Sequence, residues 1–448
     1  MLLTSLVIIS TLITILLLIL PSQRNPNDQR CTVQVVVLGD LGRSPRMQYH
    51  ALSIANHGGL VQLIGYRETD PLPELVTHSN VTIIPLRPAP RPLQTSNRLL
   101  FLLFGPLKAL LQTWTLWRTL SYSAKPSKWM LVQNPPSIPT LLVASIVCFV
   151  RATRLVIDWH NFGYSILALK LGDDHPMVTM SKLYETTLAK TANANFTVTH
   201  AMARIVRSEF VTDASVLTLP DRPANLYHPL TESERFAFLR RYSPLAGHFK
   251  ALVDGKTRLI VSSTSWTADE DFGLFLDALC SYSASATSSH PQLPELAVVI
   301  TGQGPLKQQY LGKIRDLRRG DALEMVDIHT DWLSFEDYAL LLGSADLGVS
   351  LHTSSSGVDL PMKVVDMFGA ALPVVGWSKF AAWSELVTEH VNGRGFSSAE
   401  GMADILRELF DPQSQQLATL KEGARIESQR RWNTEWDPVA GKLFELVA

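Results

Sequence analysis

Ser350-Leu-His-Thr-Ser-Ser-Ser-Gly-Val-Asp-Leu-Pro-Met-Lys-Val-Val-Asp366, followed at once by Met-Phe-Gly-Ala-Ala-Leu-Pro-Val375, is the stretch on which the fold turns. It reads as a strand end, a Ser/Gly-rich loop, and a helix with an acid near each end. Such a loop leaves backbone N–H groups free at a helix N-terminus, where the partial positive charge favours a phosphate. A carboxylate one or two turns into the helix then suits ribose hydroxyls. The segment therefore describes a pocket for a sugar nucleotide, with Ser355, Ser356, Gly357 and Lys363 toward phosphate and Asp359 and Asp366 as its acids.

The same alternation runs outward from it. Short apolar runs at 258–262, 295–301, 323–328, 346–350 and 372–375 read as buried parallel strands, each followed by a helical pattern. In the first half, runs at 32–38, 60–65, 81–84, 129–132, 155–158 and 196–199 repeat the scheme. The fold class is α/β: two doubly wound Rossmann-like domains facing a cleft, with ligands expected at the carboxyl ends of the strands. The boundaries fall at 31–215 for the first domain and 216–425 for the second, with a final helix, 426–448, returning toward the first.

A chain of 448 residues accommodates two such cores. Its net charge of −1 argues against a nucleic-acid binder. Cys31, Cys148 and Cys280 are odd in number and far apart, which gives neither a disulfide framework nor a zinc site and fits a reducing compartment. Residues 1–20 are uncharged and long enough to span hydrocarbon as a helix. No basic residue precedes that run, whereas Arg24 and Arg30 follow it, so a transmembrane anchor over 1–21 with the rest cytosolic is preferred to a cleaved signal peptide. The sequons at Asn80 and Asn195 then remain unmodified. Apolar helices over 99–117 and 138–150 are read as sheet-covering helices that also rest on the bilayer surface through Trp114, Trp117 and Trp129.

Four further motifs lie after strands. Gly39-Asp-Leu-Gly-Arg-Ser-Pro-Arg46 opens a helix with Ser44 as N-cap and Pro45 at its first position, and Gly42, Arg43 and Arg46 could grip a diphosphate; the alternative is a tight turn with two solvated arginines. Asp158-Trp-His-Asn161 offers His160 or Asp158 as a general base, and Asp40 is a further candidate. Ser263 and Thr264 begin the loop after the second domain's first strand. The triplet Asp269-Glu270-Asp271 in that loop reads as a helix start rather than a metal-binding Asp-x-Asp, and no metal ligand is assigned. Thr301-Gly-Gln-Gly-Pro305 carries Gly302 and Gly304, which permit close backbone approach by a ligand.

Taken together, the 39–50, 158–161, 263–266, 301–305 and 354–369 motifs resemble the chitobiosyldiphosphodolichol β-mannosyltransferases of the endoplasmic reticulum. The resemblance covers both domains and the anchor. It implies a GT-B glycosyltransferase that transfers mannose from GDP-mannose to dolichol-linked chitobiosyl diphosphate in N-glycan precursor synthesis. It also implies a β1,4 product, an ER-membrane location with cytosolic catalytic domains, and other mannosyltransferases of the pathway as partners. An α-linked donor giving a β product implies inversion. Lys363 then serves the leaving diphosphate, Asp366 the ribose, and Asp40 or His160 the acceptor proton. No cofactor is firmly implied, and Mg²⁺ stimulation stays open. Related enzymes carry two glutamates eight apart; here Asp366 takes the second place, while Val358 stands at the first with Asp359 beside it. The rivals are a non-catalytic GT-B-like membrane subunit and a soluble sugar-nucleotide epimerase. A scaffold has no need of Arg43, Arg46, Lys363 and Asp366 together, and the anchor disfavours the epimerase.

Overall fold

The computed structural model describes residues 20–88, 90, 98–267, 270–290 and 292–447. The anchor expected over 1–21 lies outside them but for its last two residues, as does Asp269. Among the described residues no helix is long and apolar enough to cross a membrane. The chain divides into two compact units, the first comprising Met1–Val198, Met202–Leu219 and Trp436–Ala448, the second Thr199–Ala201 and Pro220–Glu435.

The first unit is built on seven strands: β1 (Thr32–Asp40), β2 (Leu60–Tyr66), β3 (Val81–Pro85), β4 (Trp129–Asn134), β5 (Arg154–Trp159), β6 (Ala194–Thr197) and β7 (Ser215–Thr218). They pair in parallel in the order β3-β2-β1-β4-β5-β6-β7. Val33, Val35, Val36 and Val37 are fully buried, as both faces of a parallel sheet covered by helices require. The order reverses between β1 and β4, so the loops after these strands flank the crevice where such sheets bind ligands. Helix Pro45–Asn56 begins with proline, as expected, but Ser44 supplies no side-chain cap; its hydroxyl donates to the Asp40 carbonyl at 3.0 Å.

The C-terminal segment of this unit is locked in by Trp436. Its indole is fully buried, its Nε1 donates to His50 Nδ1 at 3.0 Å, and its ring lies 6.4 Å from that of Phe444. Phe444 in turn meets Trp129 and Phe196 edge-on.

The second unit holds six strands: β8 (Thr257–Ser263), β9 (Glu295–Thr301), β10 (Val326–Asp331), β11 (Leu347–Ser350), β12 (Val374–Trp377) and β13 (Gly393–Phe396). All pair in parallel, in the order β10-β9-β8-β11-β12-β13. The reversal falls between β8 and β11. This sets the loop that opens into Asp271 beside the Ser/Gly loop that begins after Ser350. The run at 323–328 starts later than its apolarity predicts, because Leu323 closes a turn by accepting from the Val326 N–H.

Trp436→Ala should lower the unfolding midpoint of the first unit strongly, since removing a fully buried aromatic costs roughly 3–5 kcal/mol. Chemical denaturation followed by far-UV circular dichroism measures it; a midpoint unchanged from wild type would show the segment to be peripheral.

Candidate active site

In the second unit a cavity of ≈380 Å³ lies at the carboxyl ends of the strands, lined by Tyr227, Ser263, Thr264, Thr301, Gly302, Trp332, Leu333, Ser334, Phe335, Tyr338, Lys363 and Asp366. The structure thus brings together Ser263, Thr264, Gly302, Lys363 and Asp366 from three separate motifs. Lys363 lies on helix Met362–Gly369, and its ammonium group pairs with Glu270 Oε1. Glu270 is 3% exposed, and its other oxygen accepts from the Thr264 hydroxyl and, at 2.8 Å, from the Ser265 N–H. Sequence reading passed over this residue, since an acid in a triplet before a helix looks like dipole complementation. Asp271 does play that part, accepting from the Gly273 N–H at 2.9 Å. Glu270 instead turns inward. Its backbone forms an isolated antiparallel bridge with that of His352, a long-range contact that no local sequence pattern signals.

Gly302 and Gly304 lie against protein backbone. A Cβ on Gly302 would lie 1.8 Å from the Thr264 carbonyl oxygen, and one on Gly304 1.7 Å from that of Ser265. The close backbone approach is therefore made by the neighbouring loop. Gly302 also has φ +138°, a region L-residues rarely adopt. Trp266, fully buried, seals the junction by donating from Nε1 to the Gly302 carbonyl at 3.2 Å.

Asp366 faces the cavity from a closely packed wall. Burial, reinforced by the neighbouring Asp221, pushes its carboxyl up to about 8. Asp359, by contrast, is a loop staple: one oxygen accepts from the Ser354 hydroxyl and the other lies 3.1 Å from His352 Nε2. It is not among the residues lining the cavity, which argues against it as the displaced first acid. Ser355, Ser356 and Gly357 occupy the same loop, with Gly357 at φ +73° and open space where a Cβ would stand. Missed altogether were the exposed aromatics Trp332 and Phe335 and the half-buried Tyr338, whose hydroxyl lies 2.7 Å from Ser263 Oγ. Aromatic faces left open beside a cavity suit a planar base.

In the first unit Asp158 is the centre of a buried charge cluster. Arg46 holds both of its oxygens, at 2.8 and 2.9 Å, while His160 Nε2 lies 2.9 Å and His50 Nε2 3.4 Å away. Burial alone would raise this carboxyl, but Arg46 and then His160 outweigh it and hold it well below the usual range. Arg46 is 3% exposed, so it serves the framework; the diphosphate grip expected of it is not available. Asp40 is likewise occupied. Its oxygens accept from the Glu68 and Thr69 N–H groups and from the Thr69 hydroxyl, at 3.0, 3.1 and 2.5 Å. Those bonds and one from the Gly42 N–H more than offset burial and lower its affinity for a proton, which argues against it as the base. Gly42 is pinned by the same loop: a Cβ there would meet Thr69 Oγ1 at 2.3 Å. Arg43 remains 77% exposed, with only a loose 3.6 Å approach to Asp40. His160, oriented by Asp158, is 24% exposed and so within reach of solvent.

Glu185, which sequence reading did not single out, is fully buried and braces the loops after β4 and β5. It accepts from the Ser137 hydroxyl, from Asn134 Nδ2 at 3.2 Å and from the Gly163 N–H at 2.8 Å. Burial raises its carboxyl above the ordinary value.

Two parallel doubly wound sheets with a cavity at the strand ends of the second are the architecture of the GT-B class of glycosyltransferases. Solved structures agree. The Anabaena Alr3699/HepE protein in complex with UDP and glucose aligns with TM-score 0.61 over 93% of this chain and 99% of that one at 16% identity. WaaG, a glycosyltransferase of lipopolysaccharide biosynthesis, aligns with TM-score 0.62 over 93% and 99% at 14% identity. No protein-family model matches. Among curated relatives, the chitobiosyldiphosphodolichol beta-mannosyltransferase of Arthroderma benhamiae is 51% identical over 382 residues, 85% of each chain. The Homo sapiens protein of that name is 38% identical over 442 residues, 90% of each. The chain belongs to the chitobiosyldiphosphodolichol β-mannosyltransferase family and is a glycosyltransferase.

Asp366 gives the site a pH signature. Between about pH 4 and 8 the unfolded chain ionises this carboxyl while the folded chain keeps its proton, so the residue lowers stability progressively as pH rises through that window, and the cost levels off above it. Asp366→Asn should melt with the wild type near pH 4 and above it at pH 8. Superimposed melting temperatures across the window would show that Asp366 ionises at its ordinary value.

Proposed function

We propose that this chain transfers mannose from GDP-mannose to chitobiosyl diphosphodolichol with inversion, at the cytosolic face of the endoplasmic reticulum membrane. The observation that carries the donor half is the pairing of Lys363 with buried Glu270 at a cavity that Asp366 also lines. A cation fixed by a charged partner is pre-oriented for the diphosphate whose charge grows as the glycosidic bond breaks. The N–H groups of Ser355–Gly357 add to it. Asp366 receives the ribose hydroxyls, and Trp332 and Phe335 the base.

On the acceptor side, His160 takes the proton of the attacking sugar hydroxyl, with Asp158 stabilising the imidazolium that results. Arg43, left exposed where Arg46 is not, meets the lipid-linked diphosphate. The single displacement passes through an oxocarbenium-like state and forms no covalent enzyme intermediate.

An apolar face supports the membrane-borne acceptor. Helices Arg98–Arg118, Thr140–Arg151, Gly163–Leu171 and Pro176–Ala189 of the first unit leave Leu110, Trp114, Phe149, Leu169, Met180 and Leu183 more than 60% exposed. So much apolar area on neighbouring helices fits an interfacial position better than water. An anchor over 1–21, trailed by Arg24 and Arg30, would hold the chain there. Other mannosyltransferases of the pathway are natural neighbours at that surface.

Purified protein incubated with labelled GDP-mannose and a synthetic chitobiosyl-diphosphate lipid, with and without EDTA, tests the reading and its metal dependence together. Lys363→Ala should lower kcat by about 10²–10³-fold in a folded protein; wild-type turnover would remove Lys363 from the mechanism. Arg43→Ala should instead raise the acceptor KM with kcat little changed. An unaltered acceptor KM leaves the diphosphate contact without support.

A further inference from the structure

We infer that His248, Asp327 and His329 form a binding site for one divalent transition-metal ion, Zn²⁺ foremost, on the edge strand of the second unit's sheet. None of the three lines the cavity. Asp327 and His329 sit two apart on β10, the outermost strand, and so project from the same face. His248 reaches them from the turn between the short helices Ser243–Ala246 and Phe249–Val253.

The geometry converges on one oxygen. His248 Nε2 lies 3.0 Å and His329 Nε2 2.9 Å from Asp327 Oδ2, and one ligand atom from each residue falls within 4.8 Å of the others. Zinc bonds of about 2.0–2.2 Å to nitrogen and oxygen place tetrahedral ligands roughly 3.3 Å apart, so a small movement apart of these side chains admits the ion. A plain hydrogen bond accounts for His248. It does not account for His329, whose Nε2 is buried and has no hydrogen-bond partner among the described residues despite its approach to the carboxylate. Arg318 Nη2, 2.9 Å from Asp327 Oδ1, fixes the plane of the carboxylate and leaves Oδ2 to the two imidazoles.

Two imidazoles and one carboxylate favour Zn²⁺ over Mg²⁺ or Ca²⁺, which prefer all-oxygen shells. Each histidine side chain is 26% exposed although His329 Nε2 itself is buried, so the movement that admits the ion also opens its shell to water. The site would cross-link the 243–253 segment to β10. Tyr242, just before that segment, already donates to Asp331 Oδ2 at 2.9 Å, and Trp332 of the cavity wall follows directly. Metal occupancy would thus stiffen one wall of the donor cavity from outside.

The test uses the full chain, stripped with a chelator, exchanged into metal-free buffer and titrated with Zn²⁺ alone against a chromophoric competitor. One equivalent should bind and raise the melting temperature. His248→Gln, Asp327→Asn and His329→Gln should each weaken binding by more than the ~10–100-fold that loss of an outer-shell partner costs, while His290→Gln on an exposed turn leaves it unchanged. Binding undiminished in the three variants, or no stronger in wild type than in the His248→Gln/His329→Gln double variant, overturns the site. Co²⁺ added to the stripped wild type gives a reading that needs no variant: visible absorption from a low-symmetry nitrogen–oxygen shell is expected, and the spectrum of aqueous Co²⁺ would contradict it.

Discussion

An ionised carboxylate taken out of water needs a positive partner, and Glu270 has one: it is 3% exposed, paired with Lys363 and bonded to Thr264 and Ser265. Breaking a buried pair by removing one member costs roughly 3–5 kcal/mol, because the remaining charge is stranded. The pair therefore fixes the loop after β8 against the helix after β11. The loop after β9 then stacks on the first through Gly302 and Gly304, where only glycine fits. Three strand ends are held in one arrangement by this chain of contacts, and the cavity is the space they leave. Lys363 is consequently presented to a ligand with its direction already set.

The first unit uses the same physics with a different result. Asp158 is fully buried and stays ionised because Arg46 neutralises it from both oxygens. That charge then orients His160. A sequence that places Arg46 beside a helix start and Asp158 at a strand end thus builds a positioned imidazole from residues that looked like separate ligand contacts. Glu185 performs a parallel service for the loops after β4 and β5, at the expense of a raised affinity for its proton.

How much of this could be read beforehand depended on distance along the chain. The long buried strands were legible because parallel sheets demand continuous apolar runs, as in Val33–Val37. β7 and β13 were not: Ser-Val-Leu-Thr buries Val216 alone, and Gly-Arg-Gly-Phe carries no strand signature. The sugar-nucleotide loop was legible from local chemistry, and Lys363 and Asp366 do line one cavity. Arg46 and Asp158 lie 112 positions apart, and Glu270 and Lys363 93. No periodicity links such pairs, so Arg46 read as a free cation and Glu270 as a helix-start acid. The glycines read as sites of close approach, and the approaching group in the structure is protein backbone.

The central claim is that Glu270 acts through Lys363, and a double-mutant cycle on mannosyl transfer measures that coupling directly. Glu270→Gln, Lys363→Ala and the double variant would be compared in single-turnover rate with saturating donor, after circular dichroism confirms that each is folded. The account predicts that Glu270→Gln slows the wild-type reaction substantially yet changes the rate by less than about twofold once Lys363 is gone, as expected of groups that act as a unit. Independent, multiplying effects of the two substitutions would contradict it.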